Sequence, residues 1–354
     1  MKMKKILIAM SGGVDSGICA DICVKGGNEC AGATMRLHNE KNTCGAEEDS
    51  AAAKHICDRL GIEHFSIDCC DHFREYVIKN FVETYEQGGT PNPCVECNRH
   101  LKFDKLLAFA EEKGYEYIAT GHYADTEYDE KSGRYLLKKA KDRSKDQSYV
   151  LYTLTQYQLA HTVFPLANLE KTTVRVLAEK EGYDNYNKSD SQDICFVPDS
   201  DYAGFIERFT GKTYPPGDFV DLQGERLGVH NGIIRYTVGK RKGLGIASTA
   251  PLYVTEIIPK ENKVVLSHGE GLFSSVVYAD NVNLIKYDDL EKPIKVKAKL
   301  RYRQKEQPAT AVMENGLLKV VFNEPQRAAT KGQSLVLYED DYVVGGGRII
   351  RTEK

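Results

Sequence analysis

The sequence predicts an α/β protein in three parts. A Rossmann-like nucleotide-binding domain comes first, then a small mixed domain, then an antiparallel β-barrel. Three observations predict it. Over roughly the first 200 residues, apolar runs alternate with helix-period stretches, as in a doubly wound parallel sheet. A glycine turn, Ser11-Gly12-Gly13, separates the first apolar run from the first helical stretch, where such sheets bind nucleotides. After about residue 205, glycines punctuate short β-branched runs, which suits small β-rich domains.

Taken in order, Lys5–Met10 reads as a strand and Val14–Lys25 as a helix stopped by Gly26-Gly27. Ala31–Arg36 is the second strand, Glu47–Leu60 a helix ended by Gly61, and His64–Asp68 the third strand. Asp71–Glu86 and Leu101–Lys113 have helical patterning, and Tyr117–Thr120 is a strand running into Gly121-His122-Tyr123. Asp125–Arg134 reads as a hairpin, and Ser148–Leu159 and Thr172–Glu181 as helices. Beyond Val276, the runs Lys295–Arg303, Ala309–Met313, Leu317–Phe322, Ser334–Tyr338 and Val343–Ile350 have the spacing of a small barrel. The expected domains are therefore 1–204, 205–275 and 276–354.

Composition removes several classes. No apolar run reaches the ~18–20 residues of a membrane helix, and the apolar start stops at Met10, before Ser-Gly-Gly. Ten cysteines without a secretion signal, two of them adjacent at Cys69-Cys70, favour a reducing, cytoplasmic setting. The net charge of −3 conceals an asymmetry: residues 201–354 carry 23 basic and 19 acidic side chains, and residues 1–200 carry 25 and 32. All ten cysteines lie at or before Cys195.

Ser11-Gly12-Gly13-Val14-Asp15-Ser16 has the residues an anion site needs. Glycines let the backbone turn and approach a ligand, and the helix after them offers unpaired N–H groups and the positive end of its dipole. Read alone, Ser-Gly-Gly is a turn and Asp15 a helix cap; its place after the first strand favours a phosphate loop. No Gly-x4-Gly-Lys-Ser/Thr occurs, nor Gly-x-Gly-x-x-Gly at this loop, so Walker-type and dinucleotide readings lack support. The string resembles the pyrophosphate loop of the PP-loop ATP pyrophosphatases. That resemblance implies ATP cleaved between the α- and β-phosphates and a substrate oxygen adenylated.

Thr90-Pro91-Asn92-Pro93-Cys94-Val95-Glu96-Cys97-Asn98 carries two thiols three residues apart near a helix start, where the dipole lowers thiol pKa values. Its two prolines predict a rigid loop with no helix before Cys97. Cys195 follows the polar Ser191-Gln192-Asp193 segment. Cys19, Cys23 and Cys57 fall in helices and read as small buried hydrophobes; Cys30, Cys44, Cys69 and Cys70 receive no role. A zinc site from Cys94, Cys97 and Cys195 is an alternative, though no second Cys-x-x-Cys exists.

Together the PP-loop, Thr90–Asn98 and the Cys195 segment resemble the bacterial tRNA-specific 2-thiouridylases. So do Thr120–Ala124, Lys145-Asp146-Gln147-Ser148-Tyr149, Gly228–Gly245, Pro325–Ala328 and Lys331–Ser334, in matching order from Ile6 to about Ile350. The resemblance implies adenylation of O2 of the wobble uridine in tRNAs for Lys, Glu and Gln, then sulfur transfer through cysteine. By it Cys195 would carry a persulfide supplied by a cysteine desulfurase or sulfur-relay protein, and Cys97 would release the sulfur and leave a Cys97–Cys195 disulfide. Ala9, Met10, Ser11, Gly12, Gly13, Val14, Asp15 and Ser16 would bind ATP with Mg²⁺, Met35 would lie against adenine, and Gly121 would border the nucleotide. Asn92, Pro93 and Cys94 would border the flipped uridine, while His122, Lys145, Asp146, Gln147 and Gln333 would contact tRNA. Read alone, His122 at a strand end is structural. Cys94 stands where many members have Asp, so a second route is an iron–sulfur cluster on Cys94, Cys97 and Cys195.

A tRNA partner is also expected from charge alone. Lys295, Lys297, Lys299, Arg301 and Arg303 alternate with Ile294, Val296, Ala298, Leu300 and Tyr302, which puts five cations on one strand face. An edge strand protected against aggregation would need fewer, and two arginines suit phosphates. Tyr302 is counted with them as a candidate tRNA contact, and Lys240-Arg241-Lys242 is a second patch. Two rival readings are another PP-loop adenylating ligase and a nucleotide-sensing RNA-binding protein without turnover. A ligase of the argininosuccinate or GMP synthetase kind calls for neither the Cys97/Cys195 pair nor the basic strand.

Overall fold

A computed structural model describes residues 3–38, 47–183, 186–187 and 194–354; Cys44 and the Ser191-Gln192-Asp193 segment lie outside them. The chain divides into two compact units. Met1–Val77, Cys94–Pro198 and Asp341–Val343 form the first, and Ile78–Pro93, Asp199–Asp340 and Val344–Lys354 the second.

In the first unit β1 (Lys5–Ala9), α1 (Val14–Lys25), β2 (Glu29–Arg36), α2 (Glu47–Leu60) and β3 (Glu63–Asp68) follow the expected alternation to within two residues. Ile6, Leu7 and Ile8 are at most 2% exposed, because a parallel strand is covered on both faces. Cys19, Cys23 and Cys57 are buried in the same core as Ile18 and Met10, as expected of small hydrophobes. Burial pushes the Cys57 thiol up to about 11, so it is inert at neutral pH.

The expected single helix over Asp71–Glu86 is divided into α3 (Cys70–Phe73), a π-helical segment Arg74–Ile78 and α4 (Lys79–Glu86), the last of which belongs to the second unit. A second correction concerns the cysteine loop. Helix α5 (Pro93–Cys97) begins at Pro93 and runs through a π-helical segment, Asn98–Lys105, into α6 (Leu106–Glu112). A proline at the first helical position loses nothing, because that N–H has no intrahelical acceptor. Cys94 and Cys97 therefore stand on a helix, and only Thr90–Asn92 remains loop.

The unit continues with β4 (Tyr117–Ala119), the hairpin of β5 (Ala124–Asp129) and β6 (Arg134–Lys139), α7 (Gln156–Ala160), β7 (Thr162–Val163) and α8 (Lys171–Lys180). Ser148–Leu159 is not one helix: a 3-10 turn over Ser148–Leu151 precedes α7, which Thr155 and Gln158 start with a capping box. The parallel sheet has the order β3-β2-β1-β4-β7. The chain leaves β1 toward β2 and later returns to β1's other side as β4, creating a switch-point crevice at their carboxyl ends.

In the second unit α9 (Tyr202–Thr210) precedes β8 (Gly217–Val220), β9 (Arg226–His230), β10 (Tyr253–Ile258) and β11 (Lys263–Ser267). Their mixed sheet, ordered β10-β11-β8-β9, is parallel only between β11 and β8. Then come β12 (Phe273–Leu284), β13 (Ile294–Lys299), β14 (Gln307–Glu314), β15 (Leu317–Arg327), β16 (Ser334–Glu339) and β17 (Tyr342–Glu353). They pair in the order β12-β15-β14-β13-β16-β17, and β12 also pairs with β17, closing an antiparallel barrel. Val296, Ala298, Leu300, Val320 and Leu337 fill it.

The barrel corrects the basic strand. Strand β13 ends at Lys299, and Leu300–Gln304 turns away, Gln304 Oε1 accepting from the Leu300 N–H at 2.8 Å. The alternation therefore holds for Lys295, Lys297 and Lys299 but not for Arg301 or Arg303. Nor is β13 an edge, since it pairs with β14 and β16. Edge protection cannot explain its lysines. Among the described residues no helix is long and apolar enough to cross a membrane.

Candidate active site

The site grows from the carboxyl end of β1. The buried Met10 donates its N–H to the Ala33 carbonyl at 2.8 Å, holding the strand in the sheet until the loop begins. Gly12 has φ +71°, and a Cβ there would lie 2.6 Å from the Asp49 carbonyl oxygen. Only glycine fits both demands. Inside the loop Ser16 Oγ accepts from the Ser11 N–H at 3.2 Å and donates to the Gly13 carbonyl at 2.9 Å. Gly13 caps α1 with extended backbone and no side-chain cap, which leaves the helix's first N–H groups for an anion. Gly121, just after β4, comes so near that a Cβ would lie 2.9 Å from the Asp15 carbonyl carbon. Ala9–Ser16 and Gly121 are thus brought together at the switch point, and Met35 is half-buried near the end of β2.

Sequence reasoning missed Lys171. Its ammonium donates to both Asp15 carboxylate oxygens, at 2.8 and 2.7 Å, and its side chain is 9% exposed. The Tyr123 hydroxyl donates to the same carboxylate at 2.9 Å. A signal was available: a lysine as the first residue of a helix opposes the dipole, so it needs an anionic partner. Asp15 and Lys171 are 156 residues apart, so only the fold supplies that partner.

This network extends toward the cysteine helix. Tyr123 and Gln147 exchange two bonds: the Tyr123 N–H donates to Gln147 Oε1 at 2.9 Å, and the Gln147 N–H to the Tyr123 carbonyl at 2.8 Å. Asp146 accepts from the Ala140 N–H at 3.1 Å and the Ser148 hydroxyl at 2.8 Å. In this structure Asp146 and Gln147 therefore hold protein groups, with Lys145 half-buried beside them. The Asn98 amide, next to Cys97, donates to the Val150 carbonyl at 3.0 Å. Pro93 is buried and Asn92 half-buried; Cys94 is exposed, Cys97 only 7% exposed, and Cys195 intermediate. Phe196, after Cys195, packs edge-on against Phe73 at 5.6 Å, which anchors that segment.

Among the described residues, no three His, Cys, Asp or Glu side chains gather as a metal site. Cys94 and Cys97 share helix α5, and Cys195 lies on the separate segment that ends at Phe196. Both Asp15 carboxylate oxygens accept from the Lys171 ammonium.

His122 is partly exposed yet densely surrounded, with its ring 5.6 Å from that of Phe103 and Nδ1 2.9 Å from Thr120 Oγ1. Burial, with Lys102 adding to it, holds its imidazole well below the ordinary histidine value. It is therefore neutral at pH 7. The unfolded chain binds this proton more readily, so stability falls as pH drops below about 6.5. Chemical unfolding from pH 7.5 to 5 should show this loss, and His122→Asn should flatten it.

In the second unit, Lys295 and Lys297 are exposed on the barrel and Lys299 is half-buried. Arg301 is bonded to the protein: its guanidinium donates to the Ala328 carbonyl at 2.6 Å. Tyr302 and Arg303 are exposed on the turn. Gln333 donates to the Thr90 and Pro91 carbonyls, at 3.0 and 2.9 Å.

A parallel sheet with a Ser-Gly-Gly loop at its switch point defines a HUP-type nucleotide-binding domain of the PP-loop kind. Comparison with known families agrees. Residues 4–199 match the family described as "tRNA methyl transferase HUP domain", 203–268 "tRNA methyl transferase PRC-barrel domain" and 274–349 "Aminomethyltransferase beta-barrel domain". The chain belongs to the tRNA-specific 2-thiouridylase family. It is 45% identical over 353 residues to the tRNA-specific 2-thiouridylase MnmA of Clostridioides difficile (strain 630), covering 98% of each chain. It is 47% identical over 359 residues to MnmA 2 of Thermoanaerobacter sp. (strain X514), covering 99% of each. To MnmA 1 of Caldanaerobacter subterraneus subsp. tengcongensis it is 46% identical, covering 98% of this chain and 97% of the relative. Among solved structures, NMN synthetase from Francisella tularensis resembles it with a TM-score of 0.35 and 18% identity, covering 60% of this chain and 79% of that one.

Proposed function

We propose that the protein is a cytoplasmic, ATP-dependent tRNA-uridine 2-sulfurtransferase that acts on the wobble uridine of tRNAs for Lys, Glu and Gln. The observation that carries this reading is the PP-loop at the switch point, in a chain whose full-length relatives are named 2-thiouridylases. Of three domains, 1–204 would carry the chemistry, and 205–275 and 276–354 would hold the tRNA.

ATP would lie on Ala9–Ser16 with its phosphates at the start of α1, its adenine against Met35 and Gly121 at its border. Uridine O2 attacks the α-phosphate, pyrophosphate leaves, and the base carries AMP as a leaving group. The terminal sulfur of a Cys195 persulfide, loaded by a cysteine desulfurase or sulfur-relay protein, attacks C2 and expels AMP. The Cys97 thiolate then attacks Cys195 Sγ. The sulfur–sulfur bond to the transferred atom breaks, its electron pair stays with the thiolated base, and a Cys97–Cys195 disulfide forms. A two-electron thiol reductant restores the pair. Asn92, Pro93, Cys94 and His122 would border the extruded uridine. Lys145, Lys297, Lys299, Tyr302 and Arg303 would hold tRNA, and Asp146, Gln147 and Arg301 would shape that surface through the bonds described above. Mg²⁺, when bound with ATP, would neutralise phosphate charge.

Incubation with ATP, a persulfide donor and unmodified tRNA should yield AMP, pyrophosphate and 2-thiouridine. ADP and phosphate as products, or tRNA recovered unmodified, would refute the reading. Replacing Lys295, Lys297 and Lys299 together by Gln should weaken tRNA binding. It should also lower the slope of log affinity against log salt by about 0.7–0.9 for each phosphate no longer neutralised. An unchanged slope would remove the barrel face from the tRNA site.

A further inference from the structure

The loop that leads into the cysteine helix is fastened within the second unit, and its fastening includes Gln333. The Thr90 N–H donates to the Lys331 carbonyl at 2.8 Å, and the Gln333 amide nitrogen donates to the carbonyls of Thr90 and Pro91 at 3.0 and 2.9 Å. Three successive hydrogen bonds therefore join Thr90-Pro91 to the barrel segment Lys331–Gln333. Two glycines make this approach close. A Cβ at Gly89 would lie 2.9 Å from the Lys331 carbonyl oxygen. One at Gly332, where φ is +87°, would lie 2.5 Å from Thr84 Cγ2 and 2.9 Å from the Thr90 carbonyl oxygen. Gly332 is fixed in turn by its N–H, which donates to the Ile349 carbonyl at 2.9 Å in β17. The barrel wall thus sets the backbone of a loop that ends, two residues after Pro91, at the first residue of α5.

Prolines on both sides of Asn92 restrict the loop's own torsions, so a displacement of Thr90-Pro91 has few internal rotations in which to be absorbed. It would pass into α5 and shift Cys94 and Cys97. Resting on the sulfur-transfer reading above, we propose that Gln333 is a positioning residue for that step. Its amide, together with the Lys331 carbonyl, holds Thr90-Pro91 so that α5 presents Cys97 in register. A contact of Gln333 with tRNA would act in a different place, on tRNA affinity, and the two roles separate experimentally.

Gln333→Met keeps the side chain's length and removes both donated bonds. The tRNA-free protein is treated with iodoacetamide and modification at Cys97 is followed by site-resolved mass spectrometry. The clamp predicts alkylation faster by about tenfold or more than in the unaltered protein, because Cys97 is only 7% exposed while the loop is held. It also predicts kcat for thiolation down by about tenfold, with the tRNA dissociation constant within about twofold. Gly332→Ala, which leaves the Gln333 side chain intact but forces the two segments apart, should reproduce the faster alkylation. Weakened tRNA binding with unchanged Cys97 alkylation and unchanged kcat, in both variants, would overturn the proposal and leave Gln333 as a tRNA contact. The alkylation arm uses neither tRNA nor ATP. A failure of the thiolation reading itself would appear separately, as absence of 2-thiouridine with the unaltered protein.

Discussion

Cys97→Ser is expected to lose 2-thiouridine formation by roughly 10³-fold or more while the protein still binds ATP. A serine hydroxyl is not ionised near neutral pH, so it cannot break the sulfur–sulfur bond as a thiolate does. The substitution is small and the site lies on a helix whose packing depends on Val95 and Leu101, both at most 1% exposed. Loss of activity should therefore come without loss of fold, and a thermal midpoint within a few degrees of the unaltered protein is the control. Liquid chromatography of digested tRNA measures the product. Normal product from Cys97→Ser would assign sulfur release to another thiol. Exposed Cys94, three residues away, would be next to replace.

Lys171→Met should have the second-largest effect, and on a different step. Removing one partner of a buried ion pair costs about 3–5 kcal/mol. Asp15 is 31% exposed, and solvent around it reduces this toward about 2 kcal/mol. If half the pair's worth lies in orienting the loop rather than in folding, kcat/KM for ATP falls by at least about fivefold, and by roughly 30-fold if all of it does. Lys171→Arg keeps the charge and should recover part of the loss. The loss should be seen in tRNA-dependent pyrophosphate release, while persulfide loading on Cys195 stays normal. Equal loss in both would show a general collapse of the first unit.

The elements set by local chemistry were legible in the sequence, and those set by long-range contacts were not. Helix α1 was readable from Ser-Gly-Gly before it and Gly26-Gly27 after it, and Glu47–Leu60 from its acidic start and the glycine at its end. The parallel sheet followed from continuous apolar runs such as Ile6-Leu7-Ile8. Pro93 misled because a proline both breaks a preceding helix and starts a following one, and its neighbours do not say which. The π-helical segments at Arg74–Ile78 and Asn98–Lys105 carry no periodicity distinct from an α-helix over so few residues. At Lys299 the strand stops while the alternation of charged and apolar residues runs on to Arg303, so pattern alone overran the turn. Within the site, the loop and the thiols were visible as motifs. Lys171 and the Tyr123–Gln147 exchange were not, because each joins residues that only the folded unit brings together.

In the proposed reaction one protein activates uridine at the PP-loop and then delivers sulfur to it from Cys195. The most direct measurement is made on Cys195→Ser with ATP, a persulfide donor and unmodified tRNA, following pyrophosphate and 2-thiouridine in the same reaction. The expected result is tRNA-dependent pyrophosphate release without 2-thiouridine, since activation survives and delivery does not. Normal 2-thiouridine from this variant would remove Cys195 from sulfur delivery, and no tRNA-dependent pyrophosphate from either it or the unaltered protein would remove uridine activation from the PP-loop.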